Sequence, residues 1–308
     1  MIYDNYGRPL NSLRIQVNAS CNFKCFFCHM EGTEENKEFL SPEEIEKVVE
    51  VAASNGVNRV KFTGGEPLLR KDLEDIIART RKHINGDISL TTNGYFLAER
   101  AVSLKKAGLN RINISMHSLD DETFAFITKV DAISTVNKAI DAAIKAGLSP
   151  VKVNFVVLNG VNVEEVDNMI DFTASKGAIL QLIEYETDRN GENDENYRKY
   201  HYDLRIIEDR IKPLSYKVEH NSLHNRSRYG LVVNGRKCEV EFVMPQRNPD
   251  FCKHCSRMRV TARGEFQTCL NARDSLFKFR GKLNIDDIYR NAATSRIPYW
   301  RDTDEYHH

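Results

Sequence analysis

Residues 13–28 read LRIQVNASCNFKCFFC, an alternating segment that runs directly into three cysteines. In Leu13–Ala19 polar and apolar residues take turns, which is typical of a β-strand with one polar and one apolar face. Cys21, Cys25 and Cys28 follow, separated by three and then by two residues. A tetrahedral zinc site or an ordinary iron–sulfur cluster needs four ligands. Three cysteines therefore leave one position of a metal centre open, as a catalytic centre requires.

The same alternation returns in five further segments between helix-like stretches. The predicted strands are Leu13–Ala19, Arg59–Gly64, Asp87–Thr92, Arg111–His117, Val151–Val157 and Ile179–Tyr185. The clearest helix signal is SPEEIEKVVEVAASNG, where Ser41 and Glu44 predict a capping box and Gly56 a stop. Six β/α units in a row predict a parallel sheet with helices outside it.

The polar faces of these strands predict a cavity that binds a large anion. A closed (β/α)8 barrel fills its interior with branched apolar side chains. Here the inward positions are polar, and several are basic, namely Arg14, Arg59, Lys61 and Lys152. The alternative is an ordinary sheet with one face open to solvent. Five consecutive parallel strands make it less favoured, because such a sheet twists and curls. An open barrel that holds a polyanion is the physical expectation.

A second region follows the polar run at 187–200, which we interpret as a linker or an exposed loop. Beyond it we expect a helix over Tyr200–Ile211 and two hairpins, one at Asn234-Gly235 and one around Gly264. The predicted division is therefore an α/β barrel domain at 1–190 and a C-terminal α+β extension at 191–308.

Composition narrows the class of protein. The 308 residues contain 44 Lys+Arg and 44 Asp+Glu, so no overall charge draws the chain to nucleic acid. We see neither a signal peptide nor an apolar run of the roughly 18 residues that a membrane span needs. The seven cysteines are clustered, which indicates metal binding in a reducing compartment rather than a disulfide framework. We therefore expect a cytoplasmic location.

A second group of cysteines stands near the other end of the chain, at Cys252, Cys255 and Cys269. On spacing alone each group could also be a zinc site, with His29 as the fourth ligand of the first, and His254 or Cys238 as that of the second. Arg257 and Arg259 directly follow Cys255 and favour a site for an anionic or electron-rich substrate.

Two motifs carry a resemblance to a known family. C-x3-C-x2-C after the first strand and TGGEP (63–67) after the second resemble the radical S-adenosylmethionine (SAM) superfamily. Together with C-x2-C-x-R-x-R-x-T-x2-G-x4-C-L at 252–270, the chain closely resembles the GTP 3′,8-cyclase family of molybdenum cofactor biosynthesis. The resemblance implies a partial (β/α)6 TIM-type barrel, two [4Fe–4S] clusters, SAM and GTP. It also implies a 5′-deoxyadenosyl radical that takes the ribose C3′ hydrogen, after which C3′ attacks guanine C8.

The resemblance assigns roles to individual positions. It implies that the first cluster is held by Cys21, Cys25 and Cys28, and the second by Cys252, Cys255 and Cys269. Implied SAM contacts are Phe27, Gly64, Gly65, Glu66 and Ser115. Implied GTP contacts are Arg14, Arg59, Lys61, Thr91, Lys152, Arg257, Met258 and Arg259.

This chain departs from the family pattern at three places. Gln181 and Glu186 stand where relatives carry a basic residue and a methionine, so neither receives a role. The tail reads TDEYHH (303–308) in place of the family's frequent double glycine, and the origin of His307 and His308 is open. Cys238 matches no ligand position and is interpreted as a packed strand cysteine.

The family further implies partners: an electron donor of the flavodoxin or ferredoxin type and a downstream cyclic pyranopterin monophosphate synthase. Neither nucleic acid nor membrane is expected, and a homodimer is one option for the assembly. Two alternatives stay open. One is a radical SAM enzyme that modifies a peptide and carries an auxiliary cluster; the other is a non-enzymatic zinc module that binds nucleic acid.

Overall fold

The computed structural model describes residues 1–29, 39–272 and 274–301. Tail residues 303–308, including His307 and His308, lie outside the described residues. No described helix is long and apolar enough to cross a membrane.

A parallel sheet at the centre carries the predicted strands. They are β3 Ser12–Gln16, β4 Arg59–Thr63, β5 Asp87–Thr92, β6 Arg111–Ser115, β7 Val151–Val157 and β8 Ile179–Glu184. These strands neighbour each other in chain order and all pair in parallel. The predicted first and fourth strands end earlier than expected, although Val17 N–H still bonds Thr63 O and Met116 N–H bonds Asn154 O.

Helices cover the apolar side of this sheet. They are α1 Pro42–Ser54, α2 Leu73–Arg81, α3 Leu97–Ala107, α4 Asp121–Thr128, α5 Ile133–Lys145 and α6 Val166–Lys176. The capping box predicted for α1 is confirmed, since Ser41 Oγ accepts from Glu44 N–H and the Glu44 carboxylate accepts from Ser41 N–H. Alternate strand residues such as Ile15, Phe62 and Leu90 are fully buried against the helices.

The C-terminal strands extend the same sheet at both edges. Their bounds are β9 Lys217–Asn221, β10 Arg226–Val233, β11 Arg236–Val243, β12 Arg257–Val260, β13 Glu265–Gln267 and β14 Leu276–Lys278. Strand β11 pairs in parallel with β8, and β12 pairs in parallel with β3. Both predicted hairpins are confirmed, as β10–β11 and as β12–β13. Over the described residues the sheet has twelve strands, while β1 Ile2–Tyr3 and β2 Pro9–Leu10 form a separate pair.

The linker interpretation of 187–200 is wrong for its second half. A helix, α7 Glu195–Tyr200, forms there because Asp194 Oδ1 accepts hydrogen bonds from the N–H groups of Asn196 and Tyr197. The expected helix over Tyr200–Ile211 begins only at Arg205, as α8 Arg205–Ile211. Two further helices are α9 Pro249–Lys253 and α10 Ile285–Thr294.

Candidate functional site

A cavity of about 660 Å³ lies on the polar side of the sheet. Residues from β3 to β8 and from β10 and β12 line it, so the edges added by the C-terminal region close around the same space. Its lining contains three acidic residues, Asp87, Glu184 and Glu186, and ten basic ones: Arg8, Arg14, Arg59, Lys61, Arg111, Lys152, Arg226, Arg228, Arg257 and Arg259. Such an excess of buried and half-buried cations favours a ligand with several negative charges.

Strand register sets the cations side by side. Arg259 pairs with Arg14, and Arg14 pairs with Lys61 across β12, β3 and β4. Lys61 Nζ donates to Asn113 Oδ1 at 3.0 Å and lies 3.5 Å from Thr91 Oγ1. Burial, followed by repulsion from Arg111 and Arg14, drives the pKa of Lys61 well below its usual value. A bound anion would relieve this cost.

Arg257 is the second strongly perturbed cation. Burial, then the charges of Arg14 and Arg259, lowers the pKa of its guanidinium. Its Nε atom is buried and has no hydrogen-bond partner among the described residues, although the guanidinium lines the cavity. A buried donor of this kind is a site for an acceptor that a ligand would bring.

Met258 differs from its two neighbours. It is fully buried in the hydrophobic core, because side chains alternate along β12 and those of Arg257 and Arg259 face the cavity. The structure therefore does not bring the Met258 side chain to the other predicted substrate residues. Thr91, Arg59 and Lys152 do line the cavity.

The first cysteine group occupies the loop after β3. Cys28 N–H donates to Cys25 O at 3.0 Å, and Phe23 N–H donates to Cys21 Sγ at 3.4 Å. Burial, together with repulsion from the neighbouring Cys28 and Cys21, raises the pKa of Cys25 to about 12. These thiols are therefore close enough to repel each other as thiolates, an arrangement that a bound metal centre would stabilise. Cys28 faces the cavity.

The GGEP loop packs against this cysteine loop. A Cβ at Gly65 would overlap Ser20 O, and one at Gly64, whose φ is +152°, would lie 2.5 Å from Asn18 O. Only glycine permits so close an approach. Glu66 is fully buried and accepts from Leu68 N–H, Thr92 Oγ1 and Asn93 N–H. Burial raises the pKa of Glu66 to about 6 against these hydrogen bonds.

Phe27 and Ser115 face the cavity beside the cysteine loop. The Phe27 ring meets the edge of His117 at 4.9 Å between centroids and lies 6.3 Å from the Tyr185 ring. Burial lowers the pKa of His117 to about 4, and His117 Nδ1 accepts from Val156 N–H at 3.1 Å. The imidazole is therefore neutral, and this end of the cavity is aromatic rather than cationic.

The second cysteine group also faces the cavity. Cys252 lies on α9, Cys255 follows it, and Cys269 follows β13. Burial, together with repulsion from Cys269 and Cys255, raises the pKa of Cys252 to about 11. Trp300 N–H donates to Cys252 Sγ at 3.4 Å.

Cys255 is the exception in this group. Burial opposes its ionisation, but the guanidiniums of Arg296 and Arg257 lower the pKa of the Cys255 thiol. The Cys255 thiol therefore loses its proton more easily than an ordinary cysteine. Cys238, in contrast, is buried in the hydrophobic core on β11 with its Sγ near Leu231 O. Within the described ranges, no three His, Cys, Asp or Glu side chains form a group that could hold a single metal ion.

Several lining residues escaped the sequence reasoning. Arg111 makes a bidentate ion pair with Asp87 and lines the cavity. Strand alternation does predict this position, because Arg111 shares a strand face with Asn113 and Ser115. Arg226 and Arg228 alternate on the strand before the Asn234-Gly235 turn, but no local pattern predicts that this hairpin joins the parallel sheet at β8. Arg8 carries no pattern that distinguishes it from a surface arginine.

Comparison with known proteins places the chain in a family. The sequence model of the Radical SAM superfamily matches residues 15–173, and that of Molybdenum Cofactor Synthesis C matches residues 178–298. A probable GTP 3′,8-cyclase of Thermoplasma volcanium is 54% identical over 99% of this chain and 94% of that protein. One of Thermococcus kodakarensis is 41% identical over 98% of this chain and 100% of that protein.

Solved structures share the fold at low identity. Streptococcus suis SuiB bound to S-adenosylmethionine superposes with a TM-score of 0.69 at 17% identity, covering 95% of this chain and 67% of that one. Native anSMEcpe with bound AdoMet gives a TM-score of 0.63 at 19% identity, with 94% of this chain and 82% of that one covered. With the full-length sequence matches, these findings establish that the chain belongs to the radical SAM superfamily and, within it, to the GTP 3′,8-cyclase family.

Proposed function

We propose that the protein is a radical SAM lyase that converts GTP to (8S)-3′,8-cyclo-7,8-dihydroguanosine 5′-triphosphate, the first step of molybdenum cofactor biosynthesis. The observation that carries the proposal is that cysteines of both groups, Cys28 on one side and Cys252, Cys255 and Cys269 on the other, line one strongly cationic cavity. The full-length similarity to probable GTP 3′,8-cyclases supports the same reaction.

The architecture in this proposal is a partial (β/α)6 barrel at 1–190 with an extension at 191–308. The parallel order of β3 to β8 supports the barrel, as does a cavity on the polar side of those strands. Because the extension pairs with both edges of this sheet, it would close the side of the barrel that six strands leave open.

The first cysteine group would hold a [4Fe–4S] cluster and SAM. The donor set fits, since Cys21 and Cys28 lie close enough to Cys25 to raise the pKa of its thiol, and three thiolates would leave one iron without a protein thiolate. Phe27 and Ser115 would line the SAM site, while Gly64, Gly65 and Glu66 would fix the loop behind it. When bound, SAM supplies a 5′-deoxyadenosyl radical for removal of the ribose C3′ hydrogen, after which C3′ joins guanine C8.

The second cysteine group would hold another [4Fe–4S] cluster next to the substrate. Arg296 and Arg257 lower the pKa of the Cys255 thiol, which supports metal binding there because a thiolate is the ligand form of cysteine. Arg14, Arg59, Lys61, Thr91, Lys152, Arg257 and Arg259 would bind and orient GTP, and Met258 would contribute only through its main chain. Positioning by fixed charges is the protein's part of the reaction, since the cofactors carry the radical chemistry. The reductant and the downstream synthase stay predictions from the resemblance.

The test is incubation of anaerobically reconstituted, reduced protein with SAM and GTP, ATP or buffer. We expect 5′-deoxyadenosine to form faster with GTP than with ATP or buffer. Equal rates in all three would contradict the substrate assignment.

Iron content tests the two clusters separately. We expect about eight irons per chain, falling to about four in Cys255→Ala and staying at about eight in the matched variant Cys238→Ala. Full iron content in Cys255→Ala would contradict the role of the second group.

A further inference from the structure

A buried carboxylate has three cations around it, and of these four residues only Lys152 has been given a role so far. We call Glu241, Lys152, Arg226 and Arg228 the Glu241 cluster. Lys152 Nζ lies 2.5 Å from Glu241 Oε2, Arg226 Nη1 lies 2.9 Å from Oε1, and Arg228 Nη2 lies 3.1 Å from Oε2. The side chain of Glu241 is 0% exposed, that of Lys152 6%, that of Arg226 13% and that of Arg228 23%.

Strand pairing explains why these residues meet. Arg228 pairs with Glu241 across the antiparallel β10–β11 hairpin, and Glu241 pairs with Gln181 across the parallel β11–β8 contact. Because Arg226 stands two residues before Arg228, both side chains share one strand face, and both line the cavity. Gln181 is neutral, so at this end of the sheet the positive charge reaches the cavity from β10.

The charges of the cluster do not balance. One fully buried carboxylate, Glu241, is shared by three cations. Arg228 has two further acids nearby, Glu239 at 3.2 Å and Glu219 opposite it across β9–β10, so the excess of positive charge falls on Lys152 and Arg226. Burial lowers the pKa of Arg226, with Arg111 and Arg228 lowering it further against the attraction of Glu241. Buried cations in excess of carboxylates are costly unless an anion completes them. Glu241 is closed off from solvent, whereas its three cationic partners line the cavity. An anion would therefore reach these cations from the cavity.

We propose that Arg226 and Arg228 bind the phosphate chain of the nucleotide substrate, and that Glu241 is the positioning residue that aims both guanidiniums and Lys152 at it. This inference rests on the proposed function for the presence of a nucleotide. The phosphate contact itself depends only on the anion, so it holds for any base that the phosphate chain carries. Guanidinium groups suit this task because their fixed N–H donors match phosphate oxygens.

The test measures binding to the anaerobically reconstituted protein by calorimetry, with GTP, ATP, inorganic tripolyphosphate and guanosine as ligands. The variants are Arg226→Gln and Arg228→Gln. The matched control is Arg236→Gln, which removes an exposed arginine from the same hairpin.

We expect each cavity variant to raise the Kd for GTP, ATP and tripolyphosphate by about tenfold or more, with the Kd for guanosine changed by less than about twofold. The control should leave all four values unchanged. If the variants weaken the binding of guanosine and of tripolyphosphate equally, or weaken the binding of neither ligand, the inference is overturned.

The same measurement separates this inference from the proposed function. If the wild type binds ATP as tightly as GTP while tripolyphosphate binding still depends on Arg226 and Arg228, the phosphate contact stands and the choice of guanine fails. If GTP is preferred but tripolyphosphate binding is indifferent to both arginines, the proposed function stands and the inference is wrong.

Discussion

At the scale of single residues, the site contains cations whose charged forms are disfavoured by burial. Burial lowers the pKa of Lys152 to about 8, even though Glu241 raises it and lies within hydrogen-bonding distance. Lys61 is shifted in the same direction and Arg257 likewise. Because burial disfavours the charged forms of these groups, a bound anionic substrate would stabilise them, so the affinity for that substrate should depend on their protonation.

The first prediction follows from Lys152. Its ammonium is charged below pH 8 and neutral above, so kcat/KM for GTP should fall as pH rises through about 8, because this ratio reports the free enzyme. In Lys152→Arg the fall should disappear over the same range, since arginine keeps its proton. The measurement is the pH profile of 5′-deoxyadenosine formation, and identical profiles for the two proteins would contradict the role of Lys152.

The second prediction concerns Glu241. Glu241→Gln leaves the buried Lys152 and the half-buried Arg226 and Arg228 without their shared carboxylate, so the free energy of unfolding should drop by about 3–5 kcal/mol. The control is Glu239→Gln, which breaks one partly exposed pair and should cost less than about 1 kcal/mol. Urea unfolding of the reconstituted proteins measures the free energy of unfolding of both variants. Equal losses would contradict the role of Glu241 as the shared partner of the three cations.

At the scale of elements, contact between two loops fixes the first cysteine group. The GGEP loop after β4 lies directly on the chain at 18–20, with Gly65 N–H bonded to Asn18 O and Glu66 N–H bonded to Ser20 O. Glu66 then ties this loop to the end of β5 through Thr92 and Asn93. Three neighbouring strand ends are thus held in one arrangement next to the cysteines.

The third prediction tests that contact. Gly65→Ala places a Cβ on Ser20 O and must displace the loop that carries Cys21, so the iron content of the reconstituted protein should fall by about four per chain. Gly147→Ala is the control, because a Cβ there meets nothing within 4 Å, although its φ of +74° makes alanine strained. Iron counting decides the question, and a full complement in Gly65→Ala would contradict the account.

Elements also show how far sequence reasoning reaches. Alternation in β3 to β8 predicts both the strands and the cavity-facing cations Arg14, Lys61 and Lys152, because strand periodicity fixes the face of each side chain. It does not reveal that β10 and β11 join the edge at β8, since strand pairing between distant segments leaves no local pattern. For that reason the sequence does not predict that Arg226, Arg228 and Glu241 belong to the site. Nor does it predict helix α7, because the Asp194 cap stands in a strongly polar run.

At the scale of the whole molecule, charge is concentrated inward. The chain has 44 basic and 44 acidic residues, yet the cavity lining has ten basic residues and three acidic ones. Most acidic residues therefore lie outside the cavity lining, and an anionic substrate is drawn to the cavity rather than to the surface. Because cysteines from both ends of the chain open into this one space, a cofactor at the first group and a substrate at the second would meet there.

The central claim is that hydrogen passes from the ribose of GTP to the cofactor within this cavity. The most direct measurement uses GTP carrying deuterium at C3′, with the mass of the 5′-deoxyadenosine formed by the reduced, reconstituted protein read by mass spectrometry. We predict 5′-deoxyadenosine heavier by one deuterium, and unlabelled product from C3′-deuterated GTP would contradict the account.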